Sequence, residues 1–339
     1  MRNTLLALAA LALAAVLPAA ALAQAPDALK VTVCGSGGPL PIKDRAKACV
    51  MVQAGGNLYL VDIGPEATKN LMLWRSPLAT AKAVFISHLH SDHIGGLGEF
   101  NMQSWVAGRT APLKVIGPEG VEHLTAGMNE AYEPDHGFRR AHHEHGEIKL
   151  PIAYGLMEAK VLKLPKAAAN GVSSMVAYTD GELKVTAIAV AHDPVTPALA
   201  YRFDYKGRSV VVSGDTRKWP PLAEASKGAD VLLHEAQNND MTRQMAIGLK
   251  GMGMARMSSI MGDTVTYHTT PVEGAEIAKA AGVKMLIFYH LTQAGLPFYN
   301  VAAFTKGVDA VGGPPWKLAT DGMTVELPVG STEIKLGQN

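Results

Sequence analysis

The sequence predicts an α/β fold, a sandwich of two β-sheets covered by helices. Short β-type runs gather in two separate halves of the chain, with helical segments between and after them. Gly-containing turns sit between apolar runs where hairpins need them. Residues able to bind metal directly follow strands in both halves, so loops from both sheets meet along one shared edge.

In chain order, Met1 to Ala23 has one positive charge at Arg2, an Ala/Leu-rich apolar run, and Ala21-Leu22-Ala23 before Gln24. That layout is a secretory signal, so residues 24–339 are expected as one mature domain, periplasmic or secreted. The run is broken at Pro18 and is shorter than the roughly 20 residues a membrane helix needs. No stable span is expected after cleavage, and an uncleaved anchor is the alternative. β-type runs follow at Val31–Cys34, Cys49–Val52 and Leu58–Ile63, with Ala54-Gly55-Gly56-Asn57 turning between the last two. A helical stretch from Glu66 to about Trp74 precedes a strand at Ala83–Ile86. Residues 94–165 alternate helical segments with strands such as Leu113–Ile116. Strands return at Met175–Tyr178, Leu183–Val190, Leu199–Phe203 and Ser209–Val212, with Lys206-Gly207 as another hairpin turn. Neither a repeat nor a linker divides the chain.

The bulk numbers narrow the class. At 339 residues and 48% hydrophobic content the chain can bury a large core. A formal net charge of +1 offers no concentrated basic face, so nucleic acid is not expected as a partner. Cys34 and Cys49, the only cysteines, lie on segments that read as neighbouring strands. One disulfide is conceivable in an oxidising compartment, but two buried thiols are the expected state. No Cys-x-x-Cys spacing supports a structural zinc site.

The chemistry concentrates in His88-Leu89-His90-Ser91-Asp92-His93, three imidazoles and a carboxylate of the types that bind borderline-soft divalent metals. In an extended turn alternate residues point the same way, so His88 and His90 share one metal while Asp92 and His93 aim at a second. His192, Asp215 and His290, each directly after a β-type run, complete a dinuclear site; singly, each reads equally well as an ordinary loop residue.

These elements resemble the sequential motifs of the metallo-β-lactamase superfamily: Asp62 in Leu60-Val61-Asp62-Ile63-Gly64, the hexamer at His88–His93, then His192, Asp215 and His290. The resemblance implies an αββα sandwich. It implies that His88, His90 and His192 hold one metal, that Asp92, His93 and His290 hold the other, and that Asp215 bridges them. Asp62 is then expected behind the ligands, accepting hydrogen bonds that orient them. Gly35-Ser36-Gly37-Gly38-Pro39, Ser213-Gly214-Asp215-Thr216, Leu233-His234-Glu235-Ala236 and His268-Thr269-Thr270 are similar to the ribonuclease Z-like branch, which includes arylsulfatase-type and phosphodiesterase relatives. That implies that His268, oriented by Glu235, protonates the leaving group. Asp92 is counted with them as a catalytic group. A merely structural hydrogen bond is the alternative for the His268–Glu235 pair.

The resulting expectation is an exported hydrolase of phosphate or sulfate esters of small molecules. It would use two divalent ions, zinc by default from the His/Asp donors, with manganese or iron also suited. Transfer-RNA 3′-processing is the first rival, set lower because of the signal segment and because Lys160, Lys163 and Lys166 do not replace a basic arm. A β-lactamase does not call for Asp215, and a lactone or thioester hydrolase does not call for His268 with Glu235. A non-catalytic metal-binding protein is the rival of another class. Two stretches stay open. Tyr132 to His143 reads as a wall of the substrate cleft or as a solvated helix end. Met241 to Met261, with six methionines, suits a lid or a homodimer contact, although a buried helix is the expectation.

Overall fold

A computed structural model describes residues 27–339; the expected signal segment, Met1–Ala23, lies outside the described residues. Strands β1 (Ala28–Gly35), β2 (Cys49–Ala54), β3 (Asn57–Val61), β4 (Ala81–Phe85), β5 (Leu113–Gly117) and β6 (Met157–Val161) form one sheet. They are joined there by β14 (Met323–Pro328) and β15 (Lys335–Gln338), in the order β15-β14-β1-β2-β3-β4-β5-β6. The other sheet runs β13-β12-β11-β10-β9-β8-β7. Its strands are β7 (Ser174–Asp180), β8 (Leu183–His192), β9 (Val195–Tyr205), β10 (Arg208–Val212), β11 (Val231–Ala236), β12 (Met285–Leu291) and β13 (Trp316–Leu318).

Side chains alternate across each strand, and here both faces are covered, which is why the central strands read as unbroken apolar runs. Tyr59, Val61, Ala83 and Phe85 of the first sheet meet Tyr201, Phe203, Val210, Val212 and Leu233 of the second in the inner layer. Their neighbours Leu58, Leu60 and Val84 face outward onto Ala67 and Leu71 of α1 (Ala67–Leu73). α2 (Ser91–Ile94) carries the end of the histidine motif, and α3 (Leu97–Val106) adds Leu97 and Phe100 to the same outer layer. On the far side Val211, Leu232 and Phe288 pack under α7 (Pro220–Ala225) and α10 (Pro271–Ala281). The layers are therefore helix, sheet, sheet, helix, as expected from the resemblance.

The remaining helices lie on the periphery: α4 (Val121–Ala131), α5 (Glu133–His142), α6 (Ile152–Gly155), α8 (Asn239–Gly251), α9 (Ala255–Asp263) and α11 (Val301–Phe304). The stretch Tyr132–His143 becomes mostly exposed helix α5, anchored by its one buried residue, His136. The His136 ring stands edge-on to Trp105 at 5.2 Å between centroids, and its Nε2 donates to the Gly155 carbonyl at 3.0 Å. His142 and His143 are exposed. The methionine-rich stretch corrects the expectation of a buried helix. α8 and α9 fold back on each other at the surface, and Met252 is 68% exposed. Among the described residues, no helix is long and apolar enough to cross a membrane.

The two sheets are tied at both ends. At the end away from the histidines, buried Arg208 at the start of β10 donates to Asp230 at 3.0 Å and to the carbonyl of Pro328, in the opposite sheet, at 3.0 Å. The expectation of two free thiols is also corrected: Cys34 and Cys49 form a disulfide, their Cα atoms 5.0 Å apart on paired strands. Antiparallel neighbours bring the two Cβ atoms within bridging reach, which sequence spacing alone does not reveal. The bridge spans a sequence separation of 15. Replacing both cysteines by serine is expected to destabilise the chain by about 3 kcal/mol, the loop-closure value for that length, read as a lower denaturant midpoint at unchanged slope.

Candidate metal centre

The centre is assembled where β3 and β4 end in the first sheet and β8, β10 and β12 end in the second. Asp62 leaves β3 with φ +58°, a left-handed conformation that a non-glycine residue keeps only when its surroundings enforce it. They do so here. Its carboxylate accepts Ser87 N–H and Ser87 O–H, both at 2.7 Å, and His93 Nδ1–H at 2.8 Å. With its proton committed to Asp62, the Ser87 hydroxyl accepts from His88 Nδ1 at 3.0 Å. The same carboxylate thus fixes the tautomers of His88 and His93, leaving both Nε2 lone pairs directed away from it. Gly64 lets the loop close, since a Cβ there would lie 2.1 Å from the Asp92 carbonyl oxygen.

The second sheet supplies the other donors. His192 is the last residue of β8 and donates Nδ1–H to the Tyr267 carbonyl at 3.0 Å, which frees its Nε2. Asp215 follows Gly214, whose φ of +59° and close approach to the Leu199 carbonyl exclude a side chain. His290 lies inside β12 rather than after it. Glu235 pairs with Tyr289 and Ala236 with Leu291, so His290 is the extra residue of a β-bulge, with φ +47°. A bulge re-aims a side chain, and this one turns His290 toward Asp92 and Asp215.

The structure brings all seven expected ligands together. Donor atoms of His88, His90 and His192 lie within 4.8 Å of one another, and so do those of Asp92, His93 and His290. Asp215 stands between the groups, Oδ2 at 3.4 Å from His93 Nε2 and 3.9 Å from His88 Nε2, Oδ1 at 3.5 Å from His290 Nδ1. Divalent metals fit this arrangement on the chemistry of the donors. His93 Nε2, His192 Nε2, His290 Nδ1 and Asp215 Oδ1 are buried without a hydrogen-bond partner, although buried polar atoms are otherwise nearly always paired. His88 Nε2 and His90 Nδ1 approach to 2.9 Å, so a proton or a cation must lie against them.

Charge leads to the same place. Burial holds the His88 imidazole well below its ordinary value, hence neutral and able to ligate. For His93 burial acts downward too, but Asp215 and Asp62 outweigh it and raise the ring well above the ordinary value. Asp92 is pushed up by burial and, more strongly, down by the bond from His290 and the charge of His93, to about 2. A metal ion at His93 would compete with the ring proton for the same carboxylate field, since a ligating imidazole must be neutral.

His268 and Glu235 also meet as expected, His268 Nδ1 donating to Glu235 Oε1 at 2.9 Å. Glu235 Oε1 accepts Thr216 N–H at 3.0 Å as well, which locks the carboxylate to the loop bearing Asp215. Burial lowers the His268 ring, but Glu235 and then Asp215 prevail and push it up to about 9. His268, His192 and Asp215 form a further group with donors within 4.8 Å. Sequence reading missed Ser87 and the Tyr267 carbonyl, the partners that orient His88 and His192. The small polar residue before the first histidine was the available signal for Ser87; a backbone carbonyl leaves none.

An αββα sandwich with two His/Asp donor groups at one sheet edge defines a metal-dependent hydrolase of the metallo-β-lactamase fold. Residues 57–291 match the β-lactamase superfamily domain, and the chain belongs to that superfamily, in its ribonuclease Z-like branch. It is 33% identical over 269 residues to Ribonuclease Z of Mycobacterium bovis, covering 78% of this chain and 87% of that protein. Among solved structures, the short form of human tRNase Z superposes with a TM-score of 0.62 at 19% identity, covering 88% of this chain and 99% of the other. A metallo-β-lactamase fold protein from Bacillus subtilis gives 0.61 at 20% identity, covering 88% and 100%. The ribonuclease relatives overturn the expectation that nucleic acid is not a partner. Net charge was the wrong guide, because a total near zero says nothing about how charge is distributed near one site.

Asp62→Ala leaves His93 without its acceptor and frees the Ser87 hydroxyl to turn its proton toward His88, so neither tautomer is fixed. Metal affinity is expected to fall by about 10–100-fold, measured by competition with a chromophoric chelator.

Proposed function

We propose that the chain is a phosphodiesterase whose substrates include nucleic-acid phosphodiesters. Two divalent ions would be held by His88, His90 and His192 and by Asp92, His93 and His290, with Asp215 shared. The observation that carries the reading is the buried His268–Glu235 pair, with His268 Nδ1 4.0 Å from Asp215. Hydrolysis of a phosphodiester breaks one P–O bond and expels an alkoxide, which needs a proton, and a histidine held by a carboxylate beside the metal donors is placed to give one. The substrate class is supported by the relatives named Ribonuclease Z, which align over most of their length.

When bound, the ions supply Lewis acidity and bring water's pKa toward neutrality; zinc suits the imidazole-rich donors, and manganese or iron the carboxylates. The chain's own residues do the rest. Asp215 keeps the two donor groups together, Asp92 adds a carboxylate facing the reacting centre, and Glu235 keeps the His268 proton donor on Nε2 by holding Nδ1–H. His90, the exposed donor, marks the open side from which substrate enters.

A location outside the cytoplasm is part of the proposal. It rests on the N-terminal pattern and on the Cys34–Cys49 bridge, since disulfides persist in oxidising compartments. Phosphodiesters met there are then the physiological substrates, and small phosphate or sulfate esters are the second reading that the bridge favours. Intact-mass analysis of protein recovered from a bacterial periplasm is expected to find the chain starting at Gln24. An unprocessed cytoplasmic product would sink the location.

The chemistry is tested with bis-nitrophenyl phosphate, a precursor tRNA carrying a 3′ extension, an aryl sulfate, a lactone and a β-lactam. Cleavage of the two phosphodiesters is expected; turnover confined to the sulfate, lactone or lactam overturns the reading. His268→Ala should slow release of alkoxide leaving groups by roughly 10²–10⁴-fold and spare nitrophenolate, with metal content intact. Lost metal would instead make His268 a ligand, alongside His192 and Asp215.

A further inference from the structure

The Asp321 carboxylate belongs to no element of the centre, yet it gathers four hydrogen bonds from three separate segments. Oδ1 accepts Ser36 N–H at 2.9 Å and Ser36 O–H at 2.6 Å, while Oδ2 accepts Ala46 N–H at 2.7 Å and Asn70 Nδ2–H at 2.8 Å. Ser36 opens the loop that joins β1 to β2 and Ala46 lies near its far end, so one carboxylate draws the two sides of that loop together.

Its position in the chain gives the clasp a second property. Asp321 lies on the connection from β13 to β14, where the backbone crosses between sheets. Ala319 N–H donates to Phe288 of β12 at 2.8 Å, and Gly322 N–H donates to Val33 of β1 at 2.9 Å. The clasped loop crosses in the opposite sense: the Ser36 carbonyl accepts Leu291 N–H at 2.8 Å, and Gly37 bridges to Leu291. Leu291 is the residue after His290, at the bulge that aims this histidine. A Cβ on Gly38 would lie 3.4 Å from His290 Cε1, so the loop also backs the ring itself.

We propose that Asp321 is a positioning residue for the metal centre, holding His290, from one sheet, at its working distance from Asp92 and His93, from the other. It acts through Ser36 on the Leu291 backbone and touches neither metal nor substrate. The proposal rests on the assignment of Asp92, His93 and His290 as one metal position. An acceptor this loaded is not replaced by an amide, because one of its atoms becomes a donor facing donors. The consequence is selective: His290 loses its support, whereas His88 keeps its own from Ser87 and His192 from the Tyr267 carbonyl.

The test is stepwise zinc titration of the full chain against a chromophoric chelator, for wild type, Asp321→Asn, Ser36→Ala and Arg208→Ala. Arg208→Ala cuts the tie between the sheets at the far end, and so reports what general loss of stability does to metal binding. In Asp321→Asn one of the two zinc steps is expected to weaken by about 10–100-fold, as when groups behind a ligand are removed, with the other step unchanged. Ser36→Ala, which deletes one hydroxyl of the clasp and serves if Asp321→Asn does not fold, should weaken the same step to a smaller degree. Arg208→Ala should lower the unfolding midpoint without separating the two steps. Equal loss at both steps, or two unchanged steps in the clasp variants, overturns the role of Asp321. A wild type that binds fewer than two ions refutes the dinuclear centre itself.

Discussion

The half of the centre that comes from the first sheet hangs on the carboxylate of Asp62. It accepts the backbone and hydroxyl of Ser87 and the ring of His93, and through Ser87 it reaches His88. One group therefore joins the ends of β3 and β4 and decides which nitrogen of two imidazoles faces inward. Asp62 sits at φ +58°, a conformation with a cost that these three bonds offset. Without them, nothing would keep two buried imidazoles turned so that their lone pairs point at each other's neighbourhood.

The electrostatics follow from that pre-arrangement. Asp215 is buried among His290, His93 and His88, and despite burial acting the other way the charges of His290 and His93 hold its carboxylate well below the usual range. Negative charge is thus fixed at the middle of the cluster and neutral imidazole at His88. Donor atoms left unpaired on four side chains mark the same volume. A protein interior tolerates such a debt of hydrogen bonds only where something else satisfies it.

How much of this was legible in the sequence depended on range. Strands buried on both faces, such as Leu58–Val61 and Val210–Val212, announce themselves as apolar runs, and the Gly55-Gly56 turn sets the register of the first of these against β2. The hexamer from His88 to His93 is a local signal of the same kind. His290 was found as a residue, but its place inside a bulge was not, because a bulge is defined by the partner strand and leaves no mark of its own. The Cys34–Cys49 bridge depends on strand pairing in the same way. The methionines of α8 and α9 misled for a different reason: their composition is that of a core helix, and only tertiary context puts them on the surface.

The pairing of β14 with β1 brings Ala28 opposite Pro328, at nearly the full length of the chain. Contacts between such distant segments form late, since a long loop must close before they contribute. The crossing that carries Asp321 comes just before β14, so the region around His290 depends on a contact at a sequence separation of 285. The topology thus separates two ranges of contact: local turns shape the histidine motif, and long crossings between the sheets bring His290 to it.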